Sequence, residues 1–331
     1  MQRWNVAITG FGAIGRTVAS LLLQRQAHYA QRYGADVRLT AVCGSRAGLF
    51  APDGLPGPHG PEREAMQAGL TGTEFIERTN AHVLIDAGPT DYETGGAAYA
   101  YLRSALSRGV HVIAISKGAL IFDLAGLRAL AAANGVALKF SGATAAALPT
   151  VDLIEHNLAG CRVLKVEGIF TATTNYVLSR MMDGVALPDA VAQAQQLGMA
   201  EPDPRFDMEG WDTACKITLL ANAVLDANLT LNDVERQRID QITQRDIDGW
   251  KAAGVVPKLV GEIVPGEHGV SAIVTLRTYP HDHPFAQVGA KMKAINVQTD
   301  AMGEVVAICR SSPLATAAAA LKDFEHILMK R

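Results

Sequence analysis

Residues 200–216 read AEPDPRFDMEGWDTACK, so Glu201, Asp203, Asp207, Glu209 and Asp212 crowd around two prolines and a glycine just ahead of Lys216. Asp212 and Lys216 are four residues apart, which on a helix places them on one face. Continuing that face reaches Leu219, Leu220 and Ala223, so Lys216 is expected to point inward. The alternative is a weak surface ion pair, but the segment that follows, ITLLANAVL, is apolar on almost every side. Carboxylates on a loop suit a cationic amino group, and a sequestered lysine suits proton transfer. Alcohol oxidation needs such a group, because a hydride and a proton must both leave.

A hydride acceptor requires its own binding unit. An apolar strand at residues 5–9 leads into Gly10-Phe11-Gly12-Ala13-Ile14-Gly15, then into a long amphipathic run at 16–31. GxGxxG between a strand and a helix fits a dinucleotide: Gly10 for the turn, Gly12 for pyrophosphate approach, Gly15 for close helix packing, and the helix N-terminus for the phosphates. A plain strand-to-helix turn is the competing reading. The second strand, 37–43, ends in Gly44-Ser45-Arg46 with no acid for a ribose hydroxyl. Ser45 and Arg46 suit a 2′-phosphate, favouring NADP(H) over NAD(H), although Arg46 could instead stack on adenine or face solvent.

Residues 47–69, rich in Pro and Gly, read as a loop or edge insertion. Strands at 82–87, 111–115 and 137–140 then alternate with helices at 96–108 and 123–133, the pattern of a Rossmann-type doubly wound parallel sheet. Strand ends at 86–90 and 116–118 bring Gly88, Ser116 and Lys117 to the expected ligand edge, with a phosphate or solvent contact as the plainer role for Lys117. After Pro149 the alternation stops. Strands at 163–170, 257–264, 270–278, 294–299 and 305–309 mix with helices at 177–182, 188–197 and 313–328, which indicates a second, α+β domain. The expected division is 1–145, rejoined by 310–331, and 146–309.

Composition limits the alternatives. The 331 residues are 49% apolar and 19% charged with a net charge of −3, giving no basic surface for nucleic acid or anionic membrane. No apolar run reaches membrane-spanning length and the first residues enter a strand at once, so a cytoplasmic protein is expected. Cys43, Cys161, Cys215 and Cys309 form no CxxC pair and read as free thiols. His281 and His283 lack a third ligand nearby, and Trp211 reads as a core or lid aromatic.

Taken together, GFGAIGR at 10–16, ISKGAL at 115–120, TATTNYVLSRM at 171–181, GMAEPDPRFDMEGWDTACK at 198–216 and HPFAQV at 283–288 resemble the homoserine dehydrogenase family over nearly the whole chain. The resemblance implies interconversion of L-homoserine and L-aspartate 4-semialdehyde with NAD(P)(H), in a short form without a regulatory domain, and a homodimer joined through the substrate domain. It also implies that Lys216 and Lys117 are the catalytic lysines. Glu201, Asp207 and Asp212 would hold the substrate, and Thr173 would touch it near the nicotinamide. Three departures stand out. Ala172 replaces a usual glycine and adds a methyl beside the substrate, opening the alternative of another amino alcohol or amino acid. Alanines fill 141–149, which weakens the case for a bound monovalent metal ion. Residues 309–313 replace a glycine-rich segment. A nucleotide-binding sensor that has kept the fold is the non-enzymatic alternative, against which the retained lysines and carboxylates argue.

Overall fold

In the computed structural model all residues are described except Pro56, Pro58, His59, Glu201, Pro202, Ser311 and Arg331. The chain forms two compact units, Met1–Ala147 with Ser312–Arg331, and Leu148–Ser311.

The first unit is built on a seven-stranded sheet in the order β4-β3-β2-β1-β5-β6-β7. Its strands are β1 (Gln2–Thr9), β2 (Ala35–Cys43), β3 (Ala47–Phe50), β4 (Gln67–Ala68), β5 (Val83–Asp86), β6 (His111–Ala114) and β7 (Leu138–Lys139). β2, β1, β5, β6 and β7 are parallel, whereas β3 and β4 turn back antiparallel on the edge. The helices are α1 (Ala13–Gln24), α2 (Gln26–Tyr33), α3 (Gly72–Arg78), α4 (Gly96–Ser107), α5 (Gly118–Ala133) and α6 (Ser141–Thr144). This is the Rossmann-type arrangement expected from the alternation, and β1 sits at its switch point because β2 and β5 flank it on opposite sides. The 47–69 segment is not wholly a loop, since β3 and β4 extend the sheet there. The run at 16–31 is two helices, broken at Arg25, and the second ends on Gly34 in the left-handed conformation.

Val6 and Ile8 of β1 are fully buried, as a central parallel strand requires. They share a core with Val18 and Leu22 of α1 and with Leu321 and Phe324 of the last helix, Pro313–Met329. That helix begins where Ser312 accepts from Ala315 N, with Pro313 in the first turn. Phe324 meets the edge of Tyr29 with ring centroids 5.4 Å apart. Beside it, the fully buried Asp323 accepts from Ser141 N (2.9 Å) and Ser141 Oγ (2.7 Å), fastening the last helix to α6.

The second unit has a six-stranded sheet, β13-β12-β8-β10-β11-β9. Its strands are β8 (Val163–Ile169), β9 (Glu235–Arg236), β10 (Val255–Gly266), β11 (Gly269–Pro280), β12 (Met292–Thr299) and β13 (Gly303–Arg310). All neighbours are antiparallel except β11 and β9. Its helices are α7 (Thr150–Asp152), α8 (Ala172–Met182), α9 (Leu187–Gln196), α10 (Arg205–Met208), α11 (Trp211–Val224) and α12 (Gln244–Ala253), so the last helix of the chain is α13. α8 starts five residues earlier than expected, taking Ala172 and Thr173 into its first turn. α11 lies tight on the sheet: a Cβ on Gly261 would come within 2.3 Å of Ile217 Cγ2.

Asp323→Ala would strand the buried Ser141 donors and is expected to cost about 2–3 kcal/mol of stability. Asp323→Asn, which can still accept one bond, should cost less. Urea unfolding of both variants checks this, and equal stability of Asp323→Ala and the parent would refute it.

Candidate active site

The candidate nucleotide site lies in the first unit. Gly10, at φ +79°, turns the chain out of β1, and its N–H donates to Cys43 O at the end of β2. A Cβ there would fall 2.2 Å from Gly88 N, so the turn and the 87–88 segment can meet only through glycine. At Gly12 the space is open instead, with no protein atom within 4 Å of where a Cβ would stand. Gly12 caps α1 without a side-chain bond, which leaves the first amides of Ala13, Ile14 and Gly15 directed at an incoming anion. Gly10, Gly12, Ala13 and Ile14 line a groove of about 640 Å³ together with Ser45, Arg46, Met66 and Gly88. Ser45 and Arg46 are exposed on the tight β2–β3 turn, which is closed by Gly44 N to Ala47 O.

Asp86 was not singled out by motif, yet it ties the ligand edge together. Its buried carboxylate accepts from Thr9 Oγ1 (2.8 Å) at the end of β1 and from Ser116 Oγ just beyond β6. A third bond comes from the Gly88 backbone. Burial pushes the carboxyl up from its ordinary value, and these three donors oppose the shift. The available signal was an acid closing an otherwise apolar strand, VLID. Ser116 is buried by this contact, and Lys117 follows as the half-buried residue that caps α5.

The acidic residues lie in the second unit. Lys216 and Asp212 pair along the first turns of α11 with side chains only 10% and 14% exposed, so this is no surface ion pair. Lys216 Nζ donates to Asp212 Oδ2 and to Phe170 O (2.8 Å) at the end of β8. Asp212 accepts in turn from Thr171 Oγ1 (2.8 Å), and its place in the first turn suits the helix dipole. Thr173 Oγ1 donates to Met199 O (2.8 Å), which fastens the segment leading to Glu201. Ala172 begins α8 beside it.

The four described carboxylates of this stretch have separate surroundings. Asp203 is taken by Arg205, which holds its carboxyl at about 2, and Glu209 pairs with Arg238 at 3.2 Å. Asp207 is half-buried on α10, while Glu201 lies outside the described residues. Trp211 carries the Arg236 guanidinium 3.2 Å from its ring centre. His283 stacks on Tyr279 and accepts from Phe285 N, a structural role. In 141–149 the side-chain oxygens belong to Ser141 and Thr144. Ser141 is engaged by Asp323 and Lys322, and Thr144 by Ser141 O. The side chains of this segment thus offer two engaged hydroxyls and no carboxylate.

The family profile described as Homoserine dehydrogenase matches residues 149–324, and the one described as Homoserine dehydrogenase, NAD binding domain, matches 10–141. The chain belongs to the homoserine dehydrogenase family. It is 32% identical to the NAD(+)-dependent homoserine dehydrogenase of Pseudomonas canavaninivorans, over 99% of this chain and 97% of that one. The homoserine dehydrogenase of Methanocaldococcus jannaschii is 30% identical over 98% of both. A solved chain from Archaeoglobus fulgidus superposes with a TM-score of 0.88 at 31% identity, covering 98% of this chain and 99% of that one. The homoserine dehydrogenase of Thiobacillus denitrificans gives 0.84 at 26% identity, covering 99% and 74%. As a member of this family the chain is an NAD(P)-dependent oxidoreductase acting between homoserine and aspartate 4-semialdehyde.

Gly12→Ala should fold with an unchanged melting temperature yet bind nicotinamide cofactor at least about tenfold more weakly, because its methyl enters only the groove. Gly10→Ala should lose both stability and binding. Calorimetric titration with thermal melts separates the two, and unchanged affinity in Gly12→Ala would exclude the groove as the phosphate site.

Proposed function

We propose that Lys216 is the proton-transfer group of homoserine oxidation, with Asp212 fixing its position and Asp207 and Glu201 receiving the substrate ammonium. The observation that carries this reading is the inward Lys216, whose Nζ is held by Asp212 and by the carbonyl of Phe170. The nicotinamide, when bound, accepts the hydride from the carbon that bears the hydroxyl. The neutral amine form of Lys216 takes the hydroxyl proton as that carbon becomes an aldehyde, and the resulting ammonium returns it in the reverse direction. Lys117, at the carboxyl end of β6, is the second lysine assigned to the reaction. Thr173 and Ala172 border the substrate from the start of α8.

NADP(H) is the preferred cofactor in this reading. Its support is the exposed Ser45–Arg46 turn beside the groove and the absence of an acid at the end of β2. The Pseudomonas canavaninivorans relative is NAD(+)-dependent, so the preference needs its own measurement. We also infer a homodimer through the second sheet, where Val264 of β10 and Ile308 of β13 are exposed and Asn296 Oδ1 of β12 is buried with no hydrogen-bond partner. A reducing, cytoplasmic setting agrees with four free cysteines, and no helix among the described residues is long and apolar enough to cross a membrane.

Lys216→Ala is expected to abolish homoserine oxidation, followed by absorbance of the reduced cofactor, while calorimetry still shows cofactor binding. Equal loss of binding and turnover would assign Lys216 a structural role. Arg46→Ala should raise KM for NADP at least about tenfold and leave KM for NAD nearly unchanged, in line with loss of a charge-assisted phosphate contact. A parallel rise for both cofactors would point to adenine stacking.

A further inference from the structure

Lys258 lies mid-strand in β10 and is 4% exposed. Its Nζ donates to Asn175 Oδ1 (2.7 Å) and Val288 O (2.8 Å), and neither partner is charged. Charged side chains elsewhere on this sheet have other partners. Arg277, its cross-strand neighbour on β11, binds Glu262, and Lys165 also reaches Glu262. Glu167 of β8 accepts from Tyr279. Burial alone pushes the Lys258 ammonium down to about 8. An apolar residue would fill such a position at lower cost.

What Lys258 secures is the amide of Asn175. With its oxygen turned to Lys258, Asn175 presents Nδ2 to Gly289 O (2.8 Å) and Met292 O (3.2 Å). Asn175 closes a five-residue stretch in which three side chains each fasten a different segment to the start of α8. Thr171 holds Asp212 of α11, Thr173 holds Met199 ahead of Glu201, and Asn175 holds the 288–292 turn and Lys258.

We propose that Lys258 is a positioning residue for the acidic site of the second unit: acting through Asn175, it sets the start of α8 and thereby the placement of Asp212 and of residues 197–200. The inference rests on the preceding reading of that site as the place of homoserine oxidation. Lys258 itself touches no reacting atom in this account.

The test compares Lys258→Met, Asn175→Ala and the double variant with the parent, using steady-state kinetics with homoserine, thermal melts and hydrogen–deuterium exchange. Either single variant is expected to lower kcat about 10- to 100-fold, the penalty for small displacements of reacting groups. KM for the nicotinamide cofactor should stay within about twofold. The double variant should be no worse than Lys258→Met, because the two residues act as one unit. Amides in the first turn of α8 and in 197–200 should exchange faster in both single variants. Parent-like kcat in a folded single variant would overturn the proposal, as would additive losses in the double. Should Lys258→Met fail to fold, Asn175→Ala decides the question alone by the same readings. A parent enzyme inactive on homoserine would count against the assigned reaction, and the exchange pattern would still decide for or against the positioning role.

Discussion

A lysine ammonium removed from water has to be solvated by protein, and the second unit is arranged around meeting that demand at Lys216. Its partners come from two directions, the carboxylate of Asp212 one turn earlier on α11 and the carbonyl of Phe170 at the end of β8. Breaking such a buried pair leaves one charge uncompensated, at a cost of about 3–5 kcal/mol. The distance from helix to sheet is therefore constrained, and Gly261 beneath Ile217 lets α11 approach closely enough for Nζ to reach the Phe170 carbonyl. Thr171, bonded to Asp212, adds α8 to the same arrangement.

The nucleotide unit obeys a complementary constraint, in which missing atoms matter as much as present ones. Gly10 gives up a side chain so that two turns can touch, and Gly12 so that a ligand can. Behind them Asp86 joins the carboxyl ends of β1, β5 and the segment after β6. The ligand edge is thus braced by hydrogen bonds from uncharged donors to one buried carboxylate.

Features that depend on local spacing were legible in the sequence. The alternating elements of the first unit and the inward face of α11 follow from periodicities of two and of three to four, which tertiary contacts reinforce here. Features set by distant partners were not. That Glu209 is occupied depends on Arg238, and the orientation of Asn175 depends on Lys258, 83 residues away. Asp86 reads as the end of a strand because its side-chain donors arrive from β1 and from the segment after β6. β3 and β4 were hidden by the prolines and glycines between them, which mark turns without excluding short edge pairing.

The discontinuity of the first unit bears on how the chain is made. Ser141 waits for Asp323, which is synthesised 182 residues later, after every strand of the second unit. On a ribosome the second unit is complete before α13 emerges, while β1 and α1 still lack the helix that buries Val18, Leu22 and Tyr29. Loop closure over that separation is slow relative to local contacts. The nascent dinucleotide unit must therefore keep an apolar face open for most of translation, which makes it the part of the molecule most exposed to chaperone capture and to misassembly between chains.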